Sequence, residues 1–148
     1  MDFVLGKVML TTLAFLLGVL NLLVMLEMMQ KVKVFGLPYE ALSRWHRRQG
    51  DVIAVLFFVT AAMCLKFFVL EGEPDWGSPR VAAHMLFAAV ILVLVAAKLC
   101  IVNIPKLRGG YRYIDYLGAS LFTGLVVVFG TSAAWYVYKW ITGARPKF

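Results

Sequence analysis

The stretch RVAAHMLFAAVILVLVAAKLC, residues 80–100, decides how this chain folds. Apart from Arg80, His84 and Lys98 it is apolar, and at ~1.5 Å of rise per residue a helix over it spans a hydrocarbon core of ~30 Å. Three further runs have the same character, at about 3–29, 52–70 and 115–138. Extended by the residues that continue each period, they predict helices over about 3–29, 43–70, 80–103 and 113–140. Hydrophobic residues make up 62% of the 148 and charged ones only 16%, too little polar surface to coat a soluble domain of this size. The expectation is an all-α integral membrane protein, a four-helix up-down bundle forming one domain over 1–148.

The connections between runs are short, so no separate water-soluble catalytic domain is expected, and any ligand has to bind between helices or at a membrane face. The first run has Asp2 ahead of it, is too long for a secretory leader and is followed by no A-x-A-like site; it reads as a retained helix. Net charge is +7. Segment 31–51 (KVKVFGLPYEALSRWHRRQGD) holds five Lys/Arg and 104–115 (IPKLRGGYRYID) three, whereas 71–80 (EGEPDWGSPR) sets Arg80 alone against three acids. The positive-inside rule then puts the first and third loops in the cytoplasm and both termini on the outer side, with Lys139, Arg145 and Lys147 weighing against it. Topology and anionic lipid account for such basic segments, and nucleic acid is not called for as a partner.

The two cysteines, Cys64 and Cys100, fall at depths on the order of 20 Å apart, too far for a disulfide. There is no C-x-x-C and no C-x-x-C-H, which removes thiol redox chemistry of that type and covalent c-type haem.

On the first run Lys7, Thr11, Ala14, Gly18, Asn21, Met25 and Met28 recur in steps of four and three, a stripe of small and polar residues expected to face the other helices. On the third, Arg80, His84, Ala88, Ile91, Val95 and Lys98 do the same, giving an inward stripe with polar ends and an apolar middle. Lys98 also reads as a residue snorkelling to the headgroups. Small-xxx-small pairs Ser120/Gly124 and Gly130/Ala134 mark packing on the last helix, and Trp76, Trp135, Tyr136, Tyr138 and Trp140 an interfacial aromatic belt.

An imidazole inside a membrane span is costly, so His84 is the first candidate for a functional group. Counted from the same membrane edge, His84 and Met63 of the neighbouring helix differ by only ~5 Å in depth. Imidazole and thioether are an axial pair for haem iron. Lys66 and Arg80 each lie one turn outward, where cations meet propionates, while Gly130 and Thr131 of the last helix fall at a similar depth, and a glycine there admits a flat macrocycle. The bland alternatives are space-filling by Met63 and Met85, and pairing of Lys66 with Glu71 or Glu73.

His46, in SRWHRRQG, is the other histidine, roughly 25 Å from His84 in depth, so the two cannot share one iron. It reads either as an interfacial residue in a basic cluster, as a ligand of a second haem opposite Met25 or Met28, or as part of a quinone headgroup site with Glu27 and Asp115 handling protons.

Arg44, His46, Arg47 and Gly50 (R-x-H-R-x-x-G), Met63–Leu65 (M-C-L), Arg80 and His84 (R-x-x-x-H), Lys98, and Thr131–Trp135 (T-S-A-x-W) together resemble a family of small four-helix bacterial membrane proteins over about residues 44–135. That family tends to have histidine where this chain has Met63, which makes His/Met ligation the form a haem would take here. More loosely, ligands paired at one depth in a four-helix bundle are similar to b-type cytochromes of the ferric-reductase and ascorbate-reducible kind. The resemblance implies a bacterial inner-membrane, multi-pass electron-transfer subunit with one haem b or two, set among lipid and other subunits of a redox complex, with quinol as a candidate donor. Two other classes compete with it. One is a cofactor-free scaffold subunit, favoured by the packing stripes. The other is a copper-handling protein using Met25, Met28, Met29, Met63, Cys64 and Met85, whose soft ligands suit Cu(I) but are spread over two depths.

Overall fold

The computed structural model describes residues 3–71, 77–104, 106, 107, 109 and 113–143. Glu73, Trp76, Gly110, Arg145 and Lys147, and the side chain of Glu71, lie outside the described residues. Helix α1 runs Phe3–Met28, α2 Tyr39–Glu71, α3 Pro79–Asn103 and α4 Ile114–Phe129, continued by a π turn at Gly130–Ala134 and by α5, Trp135–Ile141. The last three form one span, Ile114–Ile141, so the chain has four helices long and apolar enough to cross a membrane.

Helix α2 begins at Tyr39 rather than near residue 43 because Pro38 starts it. The Pro38 carbonyl accepts from Ala41 N at 3.0 Å and Leu42 N at 3.2 Å, Glu40 complements the positive end of the helix, and the turn buries Leu42. α1 ends in a Schellman motif: Lys31 N donates to Leu26 O at 3.0 Å and Gln30 N to Glu27 O at 2.9 Å, with Gln30 left-handed at φ 57°. The chain then folds back over Glu27, whose carboxylate accepts from the backbone N–H groups of Val34 (3.0 Å), Phe35 (2.7 Å) and Gly36 (2.7 Å). Phe35 in turn packs edge-on against Trp45. A buried carboxylate that satisfies three otherwise orphaned donors is a loop clasp, and it sets the angle between α1 and α2.

Neighbouring helices run antiparallel. Gly6 faces Met63 at one end of the α1–α2 pair, and the Asn21 carbonyl faces His46 at the other. Phe15 stacks on Phe129 and Gly18 receives Leu125, which lays α1 antiparallel to α4. Gly124 lies against Ile91, and a Cβ there would stand 2.7 Å from Ile91 Cγ1 and 2.9 Å from Cδ1; this close approach is what glycine permits on α4. Ser120 and Gly130, read as packing residues from the same pattern, are not closely packed in this way: both are exposed, and nothing lies within 4 Å of a Cβ built on Gly130, while Ala134 is half-buried.

The bundle is apolar outside as well as inside. Ile91, Val95, Val128 and Ala54 form the core, with Phe57, Phe87 and Leu121 against it, while Leu16, Leu65, Leu86 and Val93 point outward, Val93 with 68% of its surface free. Thr11, Glu27 and Gln49 are among the buried residues. Helices that turn large aliphatic side chains outward and polar ones inward are matched to hydrocarbon rather than water, and the chain is a multi-pass membrane protein. Both stripes read from the sequence face inward: Thr11 and Ala14 of α1 are buried, as are Ile91 and Val95 of α3.

Candidate functional site

The π turn positions the first site. Thr131 Oγ1 donates to Val127 O at 2.8 Å and Ser132 Oγ to Val128 O at 2.6 Å. Two consecutive hydroxyls bonding back into the preceding turn compete with the helix's own N–H groups for those carbonyls, and Gly130 beside them adds no side chain to stiffen the backbone. The helix widens here, and such π bulges are frequent at functional sites.

The α3 side chains reach this turn. Arg80 Nη1 donates to the backbone carbonyl of Thr131 at 2.9 Å, and the guanidinium lies over the Trp135 ring, 5.4 Å from its centroid. Lys139 covers the same ring at 5.2 Å. One turn further along α3, His84 Nδ1 is 3.3 Å from Thr131 Oγ1.

The direction of that last bond follows from the hydroxyl. Its hydrogen is committed to the Val127 carbonyl, so Thr131 Oγ1 presents only lone pairs to the imidazole, and His84 Nδ1–H donates. In the neutral ring Nε2 is then the unprotonated nitrogen, a hydrogen-bond acceptor or a metal ligand. Lys7 of α1 and Arg80 are cations whose charge acts on His84. Lys7 was legible in the α1 stripe, but nothing in the sequence linked it to His84.

The other sequence candidates are distributed as follows. Met63 is half-buried, and its methyl is the atom a Cβ at Gly6 would meet at 4.0 Å, so the thioether rests on α1 while the partners of His84 are on α4. Lys66 is exposed beyond Met63, and Gly130 stands open beside Thr131. Glu27 is held by the loop clasp, Met28 lines a groove at that end with Tyr39 and Leu42, and Asp115 is exposed in the first turn of α4. The structure therefore gathers His84, Arg80 and Thr131, and does not gather Glu27 and Asp115 around His46. Cys64 and Cys100 are free thiols.

A second polar level lies toward the opposite end of the bundle. His46 faces the Asn21 backbone carbonyl of α1, and Lys98 of α3 is a charged neighbour that acts on it. Gln49, one turn along α2 on the same face as His46, is 6% exposed. Sequence reasoning passed over Gln49 because it ends the polar run RWHRRQ; its i, i+3 spacing from His46 was the available signal.

A family model matches residues 2–142, nearly the whole of the chain. The chain belongs to DUF6529, a family of unknown function. Comparison with curated proteins and with solved structures gave no match. Membership in DUF6529 brings no assigned activity with it.

Proposed function

We propose that the chain is a membrane-embedded electron-transfer subunit that holds a b-type haem through Nε2 of His84. The observation that supports this is the bond from His84 Nδ1–H to Thr131, which fixes the ring and leaves the distal nitrogen free, the arrangement usual for metal-bound histidine. Haem would supply one-electron redox chemistry.

The chain's own residues supply the rest. Arg80 uses one nitrogen on the Thr131 carbonyl and keeps further N–H donors, and together with Lys7 it offers positive charge near His84 to propionate carboxylates. Gly130 adds an open stretch of backbone on which a flat ring can rest. Met63 is the candidate second ligand; its unbranched, flexible side chain reaches the site by leaving Gly6 through rotation about its own bonds. By the positive-inside rule this level lies in the outer half of the membrane, read here as a bacterial inner membrane, with the donor, acceptor and partner subunits those of a larger redox complex.

The test is a visible spectrum of protein purified in mild detergent, oxidised and dithionite-reduced, with a pyridine haemochrome assay. A b-type α band lost in His84→Ala and shifted in Met63→Ala is the expected result. Protein that is colourless from its native membrane and takes up no haemin on titration overturns the reading. It would make the Arg80, His84 and Thr131 contacts a structural tie between α3 and α4 in a scaffold subunit.

A further inference from the structure

Three buried polar atoms have no hydrogen-bond partner among the described residues: Oδ1 of Asn21, Nδ1 of His46 and Oε1 of Gln49. They occur together. His46 and Gln49 share one face of α2, and the other ring nitrogen of His46 faces the backbone carbonyl of Asn21, so the three residues occupy one level of the α1–α2 interface. A buried acceptor left unpaired costs about 1–3 kcal/mol, and three at one level are not the by-product of ordinary packing.

Their chemistry narrows what belongs there. Amide oxygens only accept. With Nε2–H directed at the Asn21 carbonyl, His46 Nδ1 carries a lone pair and accepts as well. The wall formed by α1 and α2 therefore asks for a ligand with hydroxyl donors. Opposite it, Lys98 of α3 is half-buried with Asp51 as its charged neighbour, and its ammonium can donate to an oxygen on the ligand's far side. The approach is between α2 and α3, which pack most sparsely among the helix pairs that follow one another in the chain; the α3 residues beside Lys98 (Ala96, Ala97 and Leu99) are apolar, while α2 carries Arg44, Arg47 and Arg48 around His46. A planar ring with hydroxyls at opposite ends and an apolar body meets all three conditions.

We propose that Asn21, His46, Gln49 and Lys98 form a binding site for a hydroquinone headgroup, with the hydroxyls donating to the α1–α2 acceptors and Lys98 donating to a ring oxygen. This site differs from the sequence expectation for His46, which enlisted Glu27 and Asp115. It does not depend on haem at His84.

The experiment uses the full chain in lipid nanodiscs, labelled with ¹⁵N-histidine, titrated anaerobically with decyl-ubiquinol. Saturable one-site binding that moves the His46 Nδ1 resonance is expected. Asn21→Leu and Gln49→Leu should each weaken it by at least about tenfold, the loss of one hydrogen bond to a buried acceptor. Gln49→Leu should unfold no earlier than the parent chain, because it removes an unpaired buried acceptor, so weakened binding there cannot be ascribed to misfolding. Absence of saturable binding, or binding indifferent to both substitutions, overturns the proposal and leaves the three atoms to ordered water. Binding is read without electron transfer, so the haem content of the preparation does not enter the result.

Discussion

Thr131 Oγ1 lies 3.3 Å from His84 Nδ1 while giving its own hydrogen to Val127 O, and the two bonds together specify the imidazole tautomer. Thr131→Val keeps the shape and removes the hydroxyl. The ring then loses its acceptor, and ¹⁵N spectra of histidine-labelled protein should show a mixture of tautomers at His84. If His84 holds haem as proposed, haem affinity should fall by about 10–100-fold, the usual effect of losing the group behind a metal-bound histidine. Thr131→Ser, which keeps the acceptor, should restore both. An unchanged tautomer in Thr131→Val would mean that the Val128 carbonyl, the other acceptor facing the ring, is sufficient by itself.

Arg80 links the start of α3 to the π turn through one hydrogen bond and one ring contact. Arg80→Met keeps the aliphatic stem and removes both. Thermal unfolding in detergent should show a loss of about 1–3 kcal/mol, the cost of leaving the partly buried Thr131 carbonyl short of a partner together with the lost cation–π attraction. Trp135→Leu should cost less, and the double variant should fall short of the sum by about 0.5–1 kcal/mol, since the two residues touch. Strict additivity would show that the stacking contributes nothing.

Much of the fold was legible because its cause is periodic. The steps of four and three that put Thr11, Ala14, Ile91 and Val95 inside follow from the 3.6-residue turn, and span lengths follow from bilayer thickness. What the sequence left open had other causes. The early start of α2 depends on Pro38 and on burial of Leu42, a tertiary contact. The π turn depends on competition among carbonyls within a helix whose apolar pattern runs on without a break. At the site, depth counting put Thr131 at a depth similar to that of His84 with Arg80 one turn outward, and the structure brings both into contact with Thr131. It could not tell that Met63 rests on α1, because counting gives height along a helix and not the direction a side chain points. Glu27 reads from the sequence as one of two carboxylates, with Asp115, able to handle protons beside His46. Its three backbone donors come from residues 34–36, a loop whose path no local pattern specifies.

Gln30 is the one described non-glycine residue with positive φ, at 57°, and it occupies the left-handed position of the Schellman motif that ends α1. An L side chain there costs about 1 kcal/mol that glycine does not incur. Gln30 is exposed, so no packing offsets that cost. Gln30→Gly should raise stability slightly, by up to about 0.5 kcal/mol after the added freedom of the unfolded chain is counted, and should leave the spectrum of the His84 site unchanged. Gln30→Val, β-branched at the same position, should lower it. The reverse order would show that the left-handed turn does not form in solution.

Gly124 supplies a close approach between α3 and α4, and a Cβ there would fall 2.7 Å from Ile91 Cγ1. Ile91 is 1% exposed and sits at the centre of the core, so it cannot swing aside. Gly124→Ala therefore has to push α3 outward, at a cost of about 1–3 kcal/mol. Because Arg80 and His84 ride on α3, the same shift should lengthen their contacts with Thr131, so the variant should lose stability and, on the proposed haem reading, haem as well. Ile91→Ala opens the space that the new methyl needs. The pair should thus be better tolerated than the two single costs predict, and haem should return with the packing. If Gly124→Ala unfolds at the parent's midpoint, α3 and α4 are held apart in the membrane and the approach at Gly124 is not tight. If it is destabilised but keeps full haem, the position of α3 does not govern the His84 site.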